Sequence, residues 1–235
     1  MIELISRQFV FDNYKAITSE IIDIQKCMFD TDPLFEDGDD GKWYTEMHDA
    51  INIPYSDVKK HYSVVSFDYS ELSTFTAALS KKLTQLLNIL KVSDLIVIAH
   101  LKLNFIGNPG IKYRPFQKVI KKFVNLTTDL KYEEAFKVNL NDLPILLDIA
   151  FWIGRCDASG PEYIYFSDVN EIIAFSLCKS GGVHIIEYDK EIIFDELIEN
   201  LGMYFVNGRC EEKFSTGSKI EGRQSNSLQP PITSC

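Results

Sequence analysis

Apolar residues recur every three or four positions in five stretches of the chain. This spacing places them on one face of a helix, so each stretch is predicted to be helical. The predicted helices are residues 16–28, 72–90, 116–126, 142–154 and 191–205. Asp68 or Ser70 is expected to cap the second helix, because their side-chain oxygens can accept hydrogen bonds from its first amides. The last helix has an acidic outer face that includes Asp195, Glu196 and Glu199.

Short runs of branched and aromatic residues predict the strands. Residues 95–103 are nearly all apolar until His100, a pattern typical of a strand buried on both faces. Further strands are predicted at residues 8–11, 163–166, 172–178 and 183–188. The turn between the last two contains Gly181 and Gly182, and paired glycines supply the positive φ that tight hairpin turns require. Because helices and strands alternate irregularly, the sequence predicts an α+β fold: a mixed or antiparallel sheet with this C-terminal β-hairpin, packed by several helices.

No linker rich in Gly and Ser interrupts residues 1–214, which are therefore predicted to form a single α+β domain. Two closely packed lobes that meet near residues 128–140 are the alternative. Residues 215–235 are mostly polar, and the sequence IEGR at positions 220–223 resembles the cleavage site of the protease factor Xa. This segment is expected to be a vector-derived, disordered tail that contributes nothing to the fold.

Charge is segregated along the chain, which has 235 residues and a net charge of −10. Eight carboxylates and one lysine lie between residues 30 and 49, whereas residues 95–128 contain six bases and no acid. Segregation of this kind predicts a surface for a partner of defined charge. The negative total disfavours nucleic acid and anionic membranes as partners. The basic stretch at residues 112–122 is expected instead to pair with acidic helices of the same chain or of a second copy.

The usual signatures of catalysis, metal binding and membrane insertion are missing from the sequence. The cysteines show no C-x-x-C spacing and the histidines no H-x-x-x-H spacing, so no metal site and no cofactor are predicted. The acidic stretch fits no EF-hand register. No apolar run has the length of a signal peptide or a membrane span. The sequence therefore predicts a reduced, cytoplasmic protein without a membrane partner.

An acidic binding protein is the leading functional hypothesis. Such a protein would neutralise a basic partner by occlusion, as an immunity protein protects a bacterium from a toxin such as a nuclease. Aromatic residues beside acid are typical of interface anchors. The candidate partner-binding residues are Glu36, Asp37, Asp39, Asp40, Trp43 and Tyr44, with a second surface at Asp195, Glu196 and Glu199. The oligomeric state is left open.

Two alternatives remain at this stage. The first is an enzyme that uses Arg155, Cys156 and Asp157 together with His184, since a cysteine nucleophile needs a neighbouring imidazole to form its thiolate. The simpler interpretation of the same residues is a core cysteine and a sheet histidine. The second alternative is an antirestriction-like mimic of DNA, which would direct the same acidic charge at a host enzyme.

Overall fold

The computed structural model of the chain describes residues 2–31, 41–54, 57–208, 210–211 and 214. The expected tail at residues 215–235 lies outside this part. The helices of the described residues are α1 (Arg7–Asn13), α2 (Lys15–Thr31), α3 (Gly41–Met47), α4 (Phe75–Ile89), α5 (Arg114–Thr127), α6 (Leu143–Cys156) and α7 (Asp195–Asn200). None of them is both long and apolar enough to cross a bilayer.

Within the described residues, eight strands form one antiparallel sheet, and together with the helices they confirm the predicted α+β fold. The strands are β1 (Glu3–Ile5), β2 (Lys60–Ser66), β3 (Asp94–Ala99), β4 (Ala135–Asn139), β5 (Ile164–Asp168), β6 (Ile173–Leu177), β7 (Val183–Tyr188) and β8 (Tyr204–Phe205). Their spatial order is β1-β4-β3-β5-β6-β7-β2-β8. The strands β6 and β7 form the predicted hairpin, in which Leu177 lies opposite Val183.

Helices cover both faces of the sheet. Along β3, Leu95 and Val97 belong to the core beneath α4, α5 and α6, whereas Ile96 and Ile98 belong to the core beneath α1 and α2. Successive side chains of a strand point to opposite faces, so a strand between two helical layers needs apolar residues at every position. This requirement explains the uninterrupted apolar run. The structure confirms a doubly buried strand over Asp94–Ala99, whereas residues 100–103 of the predicted strand lie outside it.

The basic helix α5 packs its apolar face against the core, as its spacing predicted. Phe116, Val119 and Phe123 are buried, while Lys118 and Lys121 remain exposed. Lys122 pairs with Asp148 of α6 at 2.5 Å. One base of this stretch is therefore neutralised within the same chain, in agreement with the expected internal role.

Two local predictions were wrong, and the first has a hydrogen-bonding reason. Residues 8–11 lie in α1 rather than in a strand, because the Ser6 side chain accepts a hydrogen bond from the Phe9 amide at 3.0 Å and caps the helix. The second predicted helix begins later than expected. Thr74, rather than Asp68 or Ser70, occupies the N-cap position of α4.

The predicted helix at residues 191–205 is shorter than expected. The buried Glu187 carboxylate accepts hydrogen bonds from the amides of Ile192 and Ile193, which therefore lie outside the helix. At the other end, Gly202 has a φ of +63° and its amide donates to the Glu199 carbonyl. A glycine of this conformation closes a helix, so the chain leaves α7 and forms β8.

The layer made by α1 and α2 is fastened to the rest of the molecule by Arg7, whose side chain is only 2% exposed. Its guanidinium donates to both oxygens of Asp49, at 2.6 and 2.9 Å, and to the Ala99 carbonyl at the end of β3 at 2.7 Å. Gln25 of α2 adds hydrogen bonds to Asp49 and to the His100 carbonyl. This network joins α1, α2 and the segment after α3 to the sheet.

We predict that Arg7→Ala lowers the free energy of unfolding by roughly 3–5 kcal/mol, because it leaves the carboxylate of Asp49 without its ionic partner in a mostly buried place. Urea denaturation followed by circular dichroism measures the change. Lys102→Ala is the matched control, since Lys102 pairs with Glu133 at 3.5 Å on the surface and its loss should cost at most about 1 kcal/mol. Equal effects of the two substitutions would contradict the role given to Arg7.

Candidate functional site

The β6–β7 hairpin places a cysteine and a histidine at the same end of two neighbouring strands. Cys178 directly follows β6, and its amide donates to the Gly182 carbonyl at 3.0 Å across the turn. His184 is the second residue of β7, where it lies between Ser176 of β6 and Val64 of β2. Because β7 is hydrogen-bonded on both sides, the backbone that carries His184 is held by two ladders.

A third residue reaches this place from the end of the described chain. After β8, the amide of Val206 donates to the Val64 carbonyl at 2.8 Å, which extends the pairing with β2 by one residue. Cys210 then lies against Gly182, where an added Cβ would be 2.4 Å from its Sγ and 3.2 Å from that of Cys178. Only glycine leaves room for both sulfur atoms at this position.

Cys178, His184 and Cys210 form a compact, half-buried cluster, named here the Cys–His cluster. The two Sγ atoms and an imidazole nitrogen all lie within 4.8 Å of one another. The Sγ of Cys210 is 4.0 Å from Nε2 of His184, and the Gly182 amide donates to the Sγ of Cys178 at 3.3 Å. A hydrogen bond from the Cys210 thiol, and next the interactions with His184, hold the pKa of the Cys178 thiol well below its usual range despite burial.

Two thiols and an imidazole at this separation can take part in only a few kinds of chemistry. A thiolate is a soft metal ligand and a nucleophile, and a neutral imidazole is a metal ligand and a proton acceptor. Sequence spacing did not reveal the group, because His184 lies 26 residues before Cys210. The only local signal was the pair of glycines beside Cys178, which the sequence assigned to the turn alone.

The alternative catalytic group predicted from Arg155, Cys156, Asp157 and His184 is divided between different places. His184 belongs to the Cys–His cluster, which does not include Cys156. Cys156 is a buried residue of α6, and burial raises the pKa of its thiol to about 11. A thiol with a raised pKa is a poor nucleophile at neutral pH, so the simpler interpretation, a core cysteine, describes Cys156.

The charged neighbours of Cys156 have structural roles. The Asp157 carboxylate is fully buried and accepts hydrogen bonds from the amides of Gly107 and Asn108, at 2.8 and 2.9 Å. The Arg155 guanidinium donates to the Lys179 carbonyl in the hairpin turn and lies 4.8 Å from the ring of Phe214. Arg155 therefore ties α6 to the hairpin rather than facing a substrate.

No protein-family model matches this chain, and no curated protein or solved structure matches it significantly. Its function is therefore inferred from its own side chains. Four of the predicted acidic residues, Glu36, Asp37, Asp39 and Asp40, lie outside the described residues. Trp43 is in α3, and its side chain also lies outside the described part.

Tyr44 is packed against the molecule rather than standing free as an anchor. Its hydroxyl donates to the Met28 carbonyl of α2 at 3.3 Å. Its ring lies 4.3 Å from that of His48 and 5.4 Å from that of Phe29, between ring centroids. These contacts hold α3 on α2.

The second predicted surface, on α7, includes aromatic residues as well as the carboxylates that the sequence predicted. The carboxylates of Asp195, Glu196 and Glu199 belong to exposed residues of α7, and two exposed aromatic residues flank them. Phe194, which precedes the helix, is 58% exposed, and Tyr204 of β8 is 41% exposed. Partial burial and then the nearby Asp68 carboxylate raise the pKa of the Tyr204 phenol. These five residues, Phe194, Asp195, Glu196, Glu199 and Tyr204, are named here the α7–β8 surface.

The α7–β8 surface is held in place from below. Ile198 is fully buried in the main core, and the ammonium of Lys82 donates to the carbonyls of Leu201 and Gly202 at 2.6 and 3.1 Å. A cation at the carboxyl end of a helix satisfies carbonyls that have no partner within the helix. The short helix α7 is thus anchored at one face and at one end.

We predict that Gly182→Ala displaces Cys210, because the new methyl group would overlap its sulfur, and that it destabilises the fold by about 1–3 kcal/mol. Chemical denaturation measures the stability, and mass spectrometry of alkylated peptides measures a faster reaction of Cys210. Gly154→Ala is the control, since an added Cβ there meets nothing within 4 Å. Alanine at this helical position should leave the free energy of unfolding unchanged or raise it by up to about 1 kcal/mol. Unchanged Cys210 reactivity in Gly182→Ala would show that the two sulfurs do not depend on this glycine.

We also predict that Cys156 is alkylated by iodoacetamide at neutral pH at least about 100-fold more slowly in the folded protein than in the denatured chain. A thiol whose pKa is about 11 instead of 9.0 has a thiolate fraction about 100-fold lower, and burial restricts access further. Peptide mass spectrometry gives both rates. A folded-state rate close to the denatured one would restore Cys156 as a candidate nucleophile.

Proposed function

We propose that this chain is an acidic cytoplasmic protein that binds a basic protein partner and inhibits it by occlusion. A bacterial toxin such as a nuclease is the partner class, which makes the chain an immunity protein. The observation that supports this proposal is Phe194, a phenylalanine 58% exposed that directly precedes the acidic helix α7. A large exposed aromatic residue loses favourable burial unless a partner covers it.

The composition of the α7–β8 surface matches the two requirements of an inhibitory interface. Aromatic residues such as Phe194 and Tyr204 provide the apolar contact area that anchors a complex. The carboxylates of Asp195, Glu196 and Glu199 provide a negative potential that steers a basic partner and disfavours an acidic one. The net charge of −10 extends the same potential over longer distances.

The anchoring of this surface also supports a binding role. Buried Ile198 and the Lys82 contacts hold α7 before any partner arrives. A preformed surface loses less conformational entropy on association than a flexible one, so more of its contact energy appears as affinity.

We predict that Phe194→Ala weakens capture of the basic partner by about 30-fold, the effect of a typical interface anchor worth about 2 kcal/mol. We expect the charge-neutralising pair Asp195→Asn and Glu196→Gln to slow association and to flatten its salt dependence. The partner is first isolated from the source cell on the immobilised protein at low and high salt. Binding and inhibition of the purified partner are then measured with each variant.

The control neutralises two carboxylates that belong to neither α7 nor β8, with Glu3→Gln and Asp12→Asn. Glu3 lies in β1 and Asp12 in α1, so the total charge changes equally while the α7–β8 surface stays intact. Equal losses in both pairs would mean that only the overall charge matters. If Phe194→Ala and the α7 pair both bind the partner as tightly as the parent protein, the α7–β8 surface is not the interface.

A further inference from the structure

The Cys–His cluster has no part in the proposed binding surface, yet it is the densest group of metal-ligating side chains among the described residues. We propose that Cys178, His184 and Cys210 form a zinc site with three protein ligands and a fourth position open to water. The ligands come from both sides of the hairpin turn and from the segment after β8. This inference does not depend on the proposed function.

The geometry is close to that of a tetrahedral zinc site. Zinc bonds of about 2.3 Å to sulfur and 2.0 Å to nitrogen place tetrahedral ligand atoms roughly 3.5–3.8 Å apart. In the cluster, Cys210 Sγ and His184 Nε2 are separated by 4.0 Å, and all three ligand atoms lie within 4.8 Å. A contraction of at most about 1.3 Å therefore brings the three ligands onto one ion.

The chemical character of the ligands selects the class of metal. Two thiolates and an imidazole are soft to intermediate ligands, which suit zinc and disfavour magnesium and calcium. Zinc sites with two cysteines, one histidine and an open position are a known coordination type. The Gly182 amide, which donates to Cys178 Sγ at 3.3 Å, would orient that sulfur and stabilise its charge once the proton has left.

The position of the cluster gives the ion a structural consequence. Cys210 belongs to the segment that follows β8, while Cys178 and His184 belong to the hairpin within the sheet. Coordination would fasten the end of the described chain to the sheet interior, next to the contacts of Phe214 with Phe75 and Phe151. Binding to the folded state alone stabilises that state, so zinc is expected to raise the melting temperature.

A disulfide between Cys178 and Cys210 is the competing use of the same atoms, and His184 separates the two possibilities. A disulfide needs only the two sulfurs and an external oxidant, whereas a metal site with three ligands loses affinity when any ligand is removed. The test therefore compares removal of the imidazole with removal of a sulfur.

The experiment uses the full chain with Cys27→Ser and Cys235→Ser, which leaves Cys156 as the one thiol outside the cluster. The reduced protein is stripped with a chelator and titrated with Co²⁺, and Zn²⁺ is then added to displace it. The expected result is one equivalent of Co²⁺ with a thiolate-to-cobalt charge-transfer band, complete displacement by Zn²⁺, and a melting temperature several degrees higher with zinc.

His184→Ala and Cys210→Ser should each weaken Zn²⁺ affinity at least tenfold and remove most of the thermal shift. Cys156→Ser is the matched control and should keep both the stoichiometry and the affinity. The proposal is overturned if the parent shows no saturable one-to-one binding, or if His184→Ala binds Zn²⁺ as tightly as the parent. A disulfide outcome would also overturn it. In that case mild oxidation of protein not treated with chelator joins Cys178 to Cys210, and added zinc neither slows this reaction nor changes the melting temperature.

Discussion

The burial of both faces of the antiparallel sheet is the constraint on which the rest of the structure depends. Strands β3, β5 and β6 contribute apolar side chains to both cores, because α4, α5 and α6 cover one face and α1 and α2 cover the other. Side chains from the two cores lock these strands, and neighbouring ladders satisfy their backbone groups. Since the hairpin β6–β7 lies inside this sheet, the residues at its turn are positioned by the packing of the whole molecule.

The elements that could be predicted from the sequence are those whose own residues carry a clear pattern of apolar positions. Helices α5 and α6, strand β3 and the β6–β7 hairpin carry long or well-bounded patterns, and the structure confirms them. Strands β1, β2 and β4 escaped prediction because they are short or mixed in polarity; β2 reads KHYSVVS. Their strand conformation comes from pairing with distant partners, such as Val65 with Val183, which no local window contains.

The two candidate sites also differ in how far local sequence patterns predict them. The acidic face of α7 was predictable, because three carboxylates at helical spacing are a local pattern. Phe194 and Tyr204 were not predicted to flank this helix. Their positions depend on two features: the Glu187 carboxylate accepts a hydrogen bond from an amide before α7, and Gly202 ends the helix. The Cys–His cluster was invisible for a stronger reason: its three ligands are brought together by the hairpin turn and by the return of the chain beside β2.

That return of the chain links the two proposed sites. Strand β8 has two residues, and it pairs with only Val65 and Ser66 of β2. So short a ladder has little stability of its own, and its position depends on what holds its ends. Before β8, the Lys82 contacts and buried Ile198 fix α7; after it, the Val206 hydrogen bond and Cys210 fix the chain. An ion at the Cys–His cluster would strengthen the second of these attachments, and Tyr204 of the α7–β8 surface lies on the strand between them. An ion at the Cys–His cluster would therefore also steady Tyr204, and with it the binding surface proposed here, through the position of β8.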